Sequence, residues 1–175
     1  MNETLKTLEQ RRSIRSYQKE QITDEQLETI IRAGIWAPSA KNQQSAVIVA
    51  VQDPETVAEL SRLNARIMGV ESDPFYGAPT VLVVLADPHA TSEINAVCDG
   101  SLVMGNLMNA AWSLGVGSCW INRAREMFQL PEGKALLAKW GLPEELVGVG
   151  NCILGYPAGN VPAPKERRAG RVVKV

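Results

Sequence analysis

Residues 92–114 carry apolar side chains at helical spacing that no single helix face can hold. Ile94, Val97, Leu102, Leu107, Met108, Ala111, Trp112 and Leu114 spread around more than one side of a helix of about 22 residues, with Asp99 the main charge inside it. A helix that is apolar nearly all round must be covered on nearly all sides. In a chain of 175 residues this predicts a central helix, packed in addition against a partner subunit. A membrane span needs about 20 predominantly apolar residues, and Asn95, Asp99, Asn106, Asn109 and several glycines interrupt this stretch. It reads as a buried helix followed by a strand, not as a membrane segment.

The rest of the chain supplies what such a helix packs on. Thr4–Arg11 is a short amphipathic helix with Leu5 and Leu8 on one face. Thr23–Gln26 reads T-x-x-Q, a capping box, and Leu27, Ile30, Ile31 and Ile35 follow at helical spacing until Pro38 stops them. Ala46–Val51 is an apolar run of strand length. Asp53-Pro54 gives an N-cap and first-turn proline to a helix through about Met68, and Gly69–Pro79 is a loop. Thr80–Ala86 (TVLVVLA) is apolar without alternation, as a strand buried on both faces requires. Gly115–Ile121 is a strand, Gly133–Trp140 a short helix, Val147–Gly155 a last strand, and Tyr156–Val175 a proline-rich basic tail. Three or four strands with helices of mixed connection predict an α+β domain spanning 1–175 rather than a βαβ series.

Composition excludes several functions. With 45% hydrophobic and 21% charged residues, the chain has the make-up of a soluble globular protein. A chain this long buries roughly 70% of its unfolded surface and needs no staple. Cys98, Cys119 and Cys152 form no CxxC pair and His89 is the one histidine, so a disulfide framework and a structural zinc site both fail. No metal is expected. Reduced thiols, and an N-terminus (MNETLKTLEQRR) without an apolar signal core, suit a cytoplasmic protein. The net charge of −1 is unevenly placed. Residues 1–20 hold five basic and three acidic side chains, residues 160–175 five and one, and residues 21–159 eight and fifteen. Two basic ends on an acidic body can meet at one anionic ligand; the acidic body argues against nucleic acid.

Four constellations could carry chemistry. Arg11-Arg12-Ser13-x-Arg15 puts three guanidiniums and a hydroxyl within five residues, which suits a phosphate, although a solvated basic turn has the same composition. Lys165-Glu166-Arg167-Arg168 repeats the pattern in the tail, where a loose basic end is the plainer reading. Ala37–Gln44 (APSAKNQQ) is an amide-rich loop; its donors and acceptors could read a heterocycle edge, or merely turn the chain. Leu114–Trp120 (LGVGSCW) has glycines that let backbone approach a flat ligand, but it lacks the third glycine of a dinucleotide fingerprint. There is no P-loop, HExxH or GxSxG. Cys119 has no second histidine to activate it as a nucleophile, and His89 sits in a polar surface turn. An enzyme built this way must take its chemistry from a cofactor.

Taken in order, R-R-S-x-R, A-P-S-A-x-N-x-Q, L-G-x-G-S-C-W-I and P-K-x-R, from Arg11 to Arg167, resemble the FMN-dependent nitroreductase family. The resemblance implies an α+β fold, a mixed, mainly antiparallel sheet flanked by helices, in an intertwined homodimer with FMN at the subunit interface. It implies that Arg11, Arg12, Ser13 and Arg15 hold the FMN phosphate and pyrimidine edge, and that Lys165 and Arg167 close on the phosphate. Pro38, Ser39, Asn42 and Gln44 would line the flavin from the neighbouring subunit, and Asn64 would face the isoalloxazine. Gly117, Ser118, Cys119 and Trp120 would pass behind the ring, with a backbone N–H near flavin N5. The implied activity is hydride transfer from NAD(P)H to flavin N5 and onward reduction of an electron-poor acceptor, a nitroaromatic or quinone, with Arg15 stabilising the anionic reduced flavin. A flavin-binding carrier or sensor without turnover is the alternative. Two departures stand out: Ser45 follows Gln44 where the family usually has proline, and the short stretch between Met68 and Pro79 leaves the flavin face open or covered only by a small loop around Phe75 and Tyr76.

Overall fold

β2 (Thr80–Ala86) is buried at every position because the sheet is covered on both faces. The computed structural model describes all residues, 1–175. β2 pairs antiparallel with β1 (Ala46–Val51) on one side and β4 (Val147–Gly155) on the other; β3 (Gly117–Ile121) closes the order β1-β2-β4-β3. All four strands are antiparallel, and the one parallel pairing is the isolated bridge between Ser13 and Ser118. Alternate residues of β2 feed two cores. Val81, Val83 and Leu85 join Cys119, Ile121 and Ile153 beneath α3 (Pro54–Met68), α5 (Ala124–Gln129) and α6 (Pro131–Lys139). Leu82, Val84 and Ala86 join Cys152 and Leu154 beneath α2 (Asp24–Ile35) and α4 (Glu93–Ser113).

The expected elements form with small shifts. α1 is Glu3–Gln10, α4 ends one residue early, β3 begins at Gly117, and α6 starts at Pro131, whose ring fits the first helical position. α5, six residues with no side-chain cap, escapes sequence reading because it carries neither a start signal nor a full amphipathic repeat. α4 buries Ala96, Asp99, Gly100, Val103, Met104, Leu107 and Ala111 against the sheet and α2, and leaves Ile94 and Leu102 exposed within the single chain. Phe75 is a core residue, 1% exposed, rather than part of a flap. Its loop is folded inward by the Asp73 carboxylate, which accepts from the Phe75 and Gly77 amides and the Ser61 hydroxyl.

The capping box of α2 is present in both directions: Thr23 Oγ1 accepts from the Gln26 amide at 3.2 Å and Gln26 Oε1 from the Thr23 amide at 3.1 Å. Thr23→Ala is expected to cost about 1 kcal/mol, read as a fall in melting temperature of about 2–4 °C.

Candidate functional site

α1 ends where its own chain turns along the outer edge of β3. The Arg12 guanidinium caps that end, donating through Nη1 to the Glu9 and Arg11 carbonyls at 2.8 and 2.7 Å. Ser13 then pairs with Ser118, and the Ile14 amide donates to the Ser118 carbonyl at 2.9 Å. Gly117 makes this approach possible, because a Cβ there would lie 3.0 Å from the Ile14 side chain. The result brings Arg11, Ser13, Arg15, Ser118 and Cys119 to one place. Burial pushes the Cys119 thiol up, against the opposing pull of the Arg15 charge, a Ser13 hydrogen bond and the Arg11 charge. It therefore stays a neutral thiol at pH 7. Burial likewise raises the Tyr17 phenol, whose hydroxyl donates to the Ile14 carbonyl at 2.8 Å.

Two polar atoms in this cluster are buried without any partner: Arg11 Nη1 and Ser118 Oγ. A buried guanidinium nitrogen with no acceptor is costly. Its position beside Ser13 and Arg15 fits an anionic oxygen supplied by a ligand.

The tail does reach this edge. Tyr17 bridges to Pro157, the Gln18 amide donates to the Tyr156 carbonyl and the Ala158 amide to the Ser16 carbonyl, both at 2.9 Å. Asn160 and Pro162 then line a cavity of about 200 Å³ with Ile14, Arg15 and Ser16. Lys165 and Arg167 lie beyond, exposed and without a hydrogen bond or ion pair. Lys165 is three residues past Pro162, at most about 10 Å of extended chain.

The amide-rich loop is elsewhere. Lys41, Asn42 and Gln44 all hold left-handed backbone (φ 51°, 56° and 51°), unusual for residues with a Cβ. Ser39 Oγ accepts from the Gln44 amide at 3.0 Å, and Gln44 Nε2 donates to Asn42 Oδ1 at 3.3 Å. Asp99 on α4, 4% exposed, anchors both ends: it accepts from the Ala40 amide at 2.8 Å and from the Ser45 hydroxyl at 2.7 Å. Ser45 thus has its own reason to be serine. Pro38 is exposed at the loop's start, and no hydrogen bond joins this loop to the Arg11–Cys119 cluster within the chain.

Asn64 departs from its expected place facing a ligand. It is fully buried, and its Nδ2 donates to the Asn122 carbonyl at 2.7 Å. That carbonyl belongs to the corner between β3 and α5, where Arg123 has a left-handed φ of 75°. Asn122 and Arg123 belong to none of the four constellations in the sequence. The available signal was two polar residues directly after a buried strand that ends the LGVGSCWI run. Trp120 lies against Gly150, where a Cβ would come 2.5 Å from the indole Nε1.

A separate cavity of about 640 Å³, between α3 and residues 71–79, contains none of the residues expected to bind flavin. His89 is exposed, its amide donating to Asp87 Oδ1. No group of three or more His, Cys, Asp or Glu residues is placed to hold a metal ion. No helix is long and apolar enough to cross a membrane.

The sequence model of the Nitroreductase family matches residues 8–74 and 62–156. An NADPH-flavin oxidoreductase of Vibrio harveyi is 33% identical over 193 residues, covering 99% of this chain and 73% of its own. An NAD(P)H-dependent FMN reductase of Bacillus subtilis is 30% identical over 176 residues, covering 90% and 67%. A nitroreductase of Bacteroides fragilis, crystallised with bound FMN, superposes with a TM-score of 0.91 at 33% identity over the whole of both chains.

Proposed function

The chain belongs to the nitroreductase family, and from that premise we propose that residues 1–175 form one FMN-dependent oxidoreductase domain that uses NAD(P)H to reduce an electron-poor small molecule of the nitroaromatic or quinone class. The observation that carries this reading is the pair of orphaned buried atoms, Arg11 Nη1 and Ser118 Oγ, at an edge already occupied by Ser13 and Arg15. When bound, FMN supplies the redox chemistry, accepting a hydride from NAD(P)H and later reducing the acceptor.

The chain's residues bind, orient and polarise. Arg11 and Ser13 take the phosphate, with Lys165 and Arg167 closing from the tail. Arg12 is committed to the end of α1 and holds that turn in place. Arg15 sets a positive charge where negative charge develops on reduction, a preorganised electrostatic role. Gly117, Ser118, Cys119 and Trp120 give a flat, closely packed wall behind the ring. Pro38, Ser39, Asn42 and Gln44 complete the site from a second copy of the chain. A homodimer is supported by large apolar side chains left exposed on the helices that pack together on one sheet face: Leu5 and Leu8 on α1, Ile35 and Trp36 at the end of α2, Leu102 on α4. Exposed apolar surface of this kind marks an interaction site. Cys119 and Cys152, both buried free thiols, suit a reducing, cytoplasmic setting.

The purified protein is expected to be yellow, with a flavin absorption band that bleaches on anaerobic addition of NADH or NADPH. A colourless protein that takes up no FMN would overturn flavin binding. Bound flavin that neither nucleotide reduces would leave a carrier or sensor instead of an enzyme.

A further inference from the structure

The corner between β3 and α5 is more tightly fixed than its exposed surroundings require. Arg123 keeps a backbone conformation that residues with a Cβ rarely adopt, and such outliers persist only where the structure around them over-determines them. Four contacts do so. Gly148 on β4 admits the start of α5 so closely that a Cβ would sit 2.2 Å from the Ala124 carbonyl oxygen and 2.7 Å from the Arg125 nitrogen. Asn64 on α3 donates through Nδ2 to the Asn122 carbonyl at 2.7 Å. The Met127 sulfur of α5 accepts from Asn64 Nδ2 at 3.3 Å and from Asn151 Nδ2, on β4, at 3.4 Å.

Asn64, Asn151 and Met127 are all completely buried. The Oδ1 atoms of both asparagines have no hydrogen-bond partner. Two half-satisfied amides meeting at a thioether stabilise poorly; apolar residues of the same size would cost less there. Stability alone therefore does not account for them. Their reach is to the corner, and the corner continues the Gly117–Trp120 wall. The Asn122 and Arg123 amides have no acceptor within the chain.

We propose that Asn64 and Asn151, acting through Met127, are positioning residues that hold the Asn122–Arg123 backbone in the orientation the flavin site uses. The proposal rests on the flavin reading above. A backbone donor held rigidly costs no reorganisation when charge on its partner changes. Loosening the corner should therefore alter the affinities for oxidised and reduced flavin unequally.

Three variants of the full chain test this: Asn64→Ala, Asn151→Ala and Met127→Leu. The last keeps size and apolarity, so it folds even if the alanines do not. Thr23→Ala, remote from the corner, controls for lost stability. The Kd for FMN should rise about tenfold in Asn64→Ala, the equivalent of one hydrogen bond, and less in Asn151→Ala and Met127→Leu. The flavin midpoint potential should move; a tenfold change in the ratio of the two affinities is about 30 mV for a two-electron couple. A third readout needs no flavin: trypsin should cut FMN-free Asn64→Ala and Met127→Leu after Arg123 or Arg125 several times faster than wild type, and Thr23→Ala at the wild-type rate. Variants that melt earlier yet keep the wild-type Kd, potential and cleavage rate would overturn the positioning role. Should wild type bind no FMN, the flavin reading fails and the trypsin result alone decides whether these residues hold the corner.

Discussion

Arg11→Ala is expected to weaken FMN binding by about 10- to 100-fold while leaving the melting temperature of the FMN-free protein unchanged or slightly raised. The two effects have opposite signs for one reason. Without ligand, Arg11 Nη1 is buried with no acceptor, so the side chain carries a desolvation cost that alanine removes. With ligand, the same nitrogen meets a phosphate oxygen. A hydrogen bond to a charged group contributes about 1.5–3 kcal/mol, and each 1.4 kcal/mol is about tenfold in Kd. Arg12→Ala should behave in reverse. Its guanidinium already spans the Glu9 and Arg11 carbonyls, so its loss should lower the melting temperature and weaken FMN only modestly. Titration of flavin fluorescence against each variant, with melts of the FMN-free proteins, checks both. Equal losses of affinity in the two variants would mean that the arginines share the phosphate and that the orphaned nitrogen has no special part.

The contrast between Arg11 and Arg12 also marks where sequence stops being informative. Adjacent identical residues give no sign of which one closes the helix and which is left unpaired; the turn after α1 decides it. The broad fold was legible because each strand and long helix carries its own signal. The unalternating TVLVVLA run had to be covered on both faces, and Thr23–Gln26 capped α2 as read. α5 was not legible, since six residues give no period to read. Asn64 shows a different limit. The family resemblance implied a flavin contact, but the helix turns the side chain inward onto the Asn122 carbonyl, and direction is a property of packing rather than of spacing. Residues 156–162 run beside Ile14–Gln18, but the basic side chains of the tail begin beyond them at Lys165, and charge arithmetic does not locate where they lie.

Asp99→Ala should be the most damaging single change outside the phosphate cluster, and it also tests whether the site is shared. The carboxylate is nearly sealed from water and accepts from the Ala40 amide and the Ser45 hydroxyl. Removing it strands two donors, at about 1–3 kcal/mol each, so a loss of about 2–6 kcal/mol is expected in a denaturant melt. The loop it anchors carries three residues in left-handed conformations, which relax once their anchor goes. FMN binding should fall with it, because Pro38, Ser39, Asn42 and Gln44 no longer hold their places. If the loop of one copy completes the Arg11 site of another, the two defects lie on different chains of the same site. A mixed dimer of one Arg11→Ala and one Asp99→Ala chain would then own one doubly damaged site and one intact site. At an FMN concentration low enough that either variant alone holds almost none, random pairing in a two-fold dimer should restore about a quarter of the wild-type flavin content to the co-expressed pair. No recovery in a mixture shown to contain mixed dimers would place loop and arginines on the same chain's site, and the shared-site arrangement would fall.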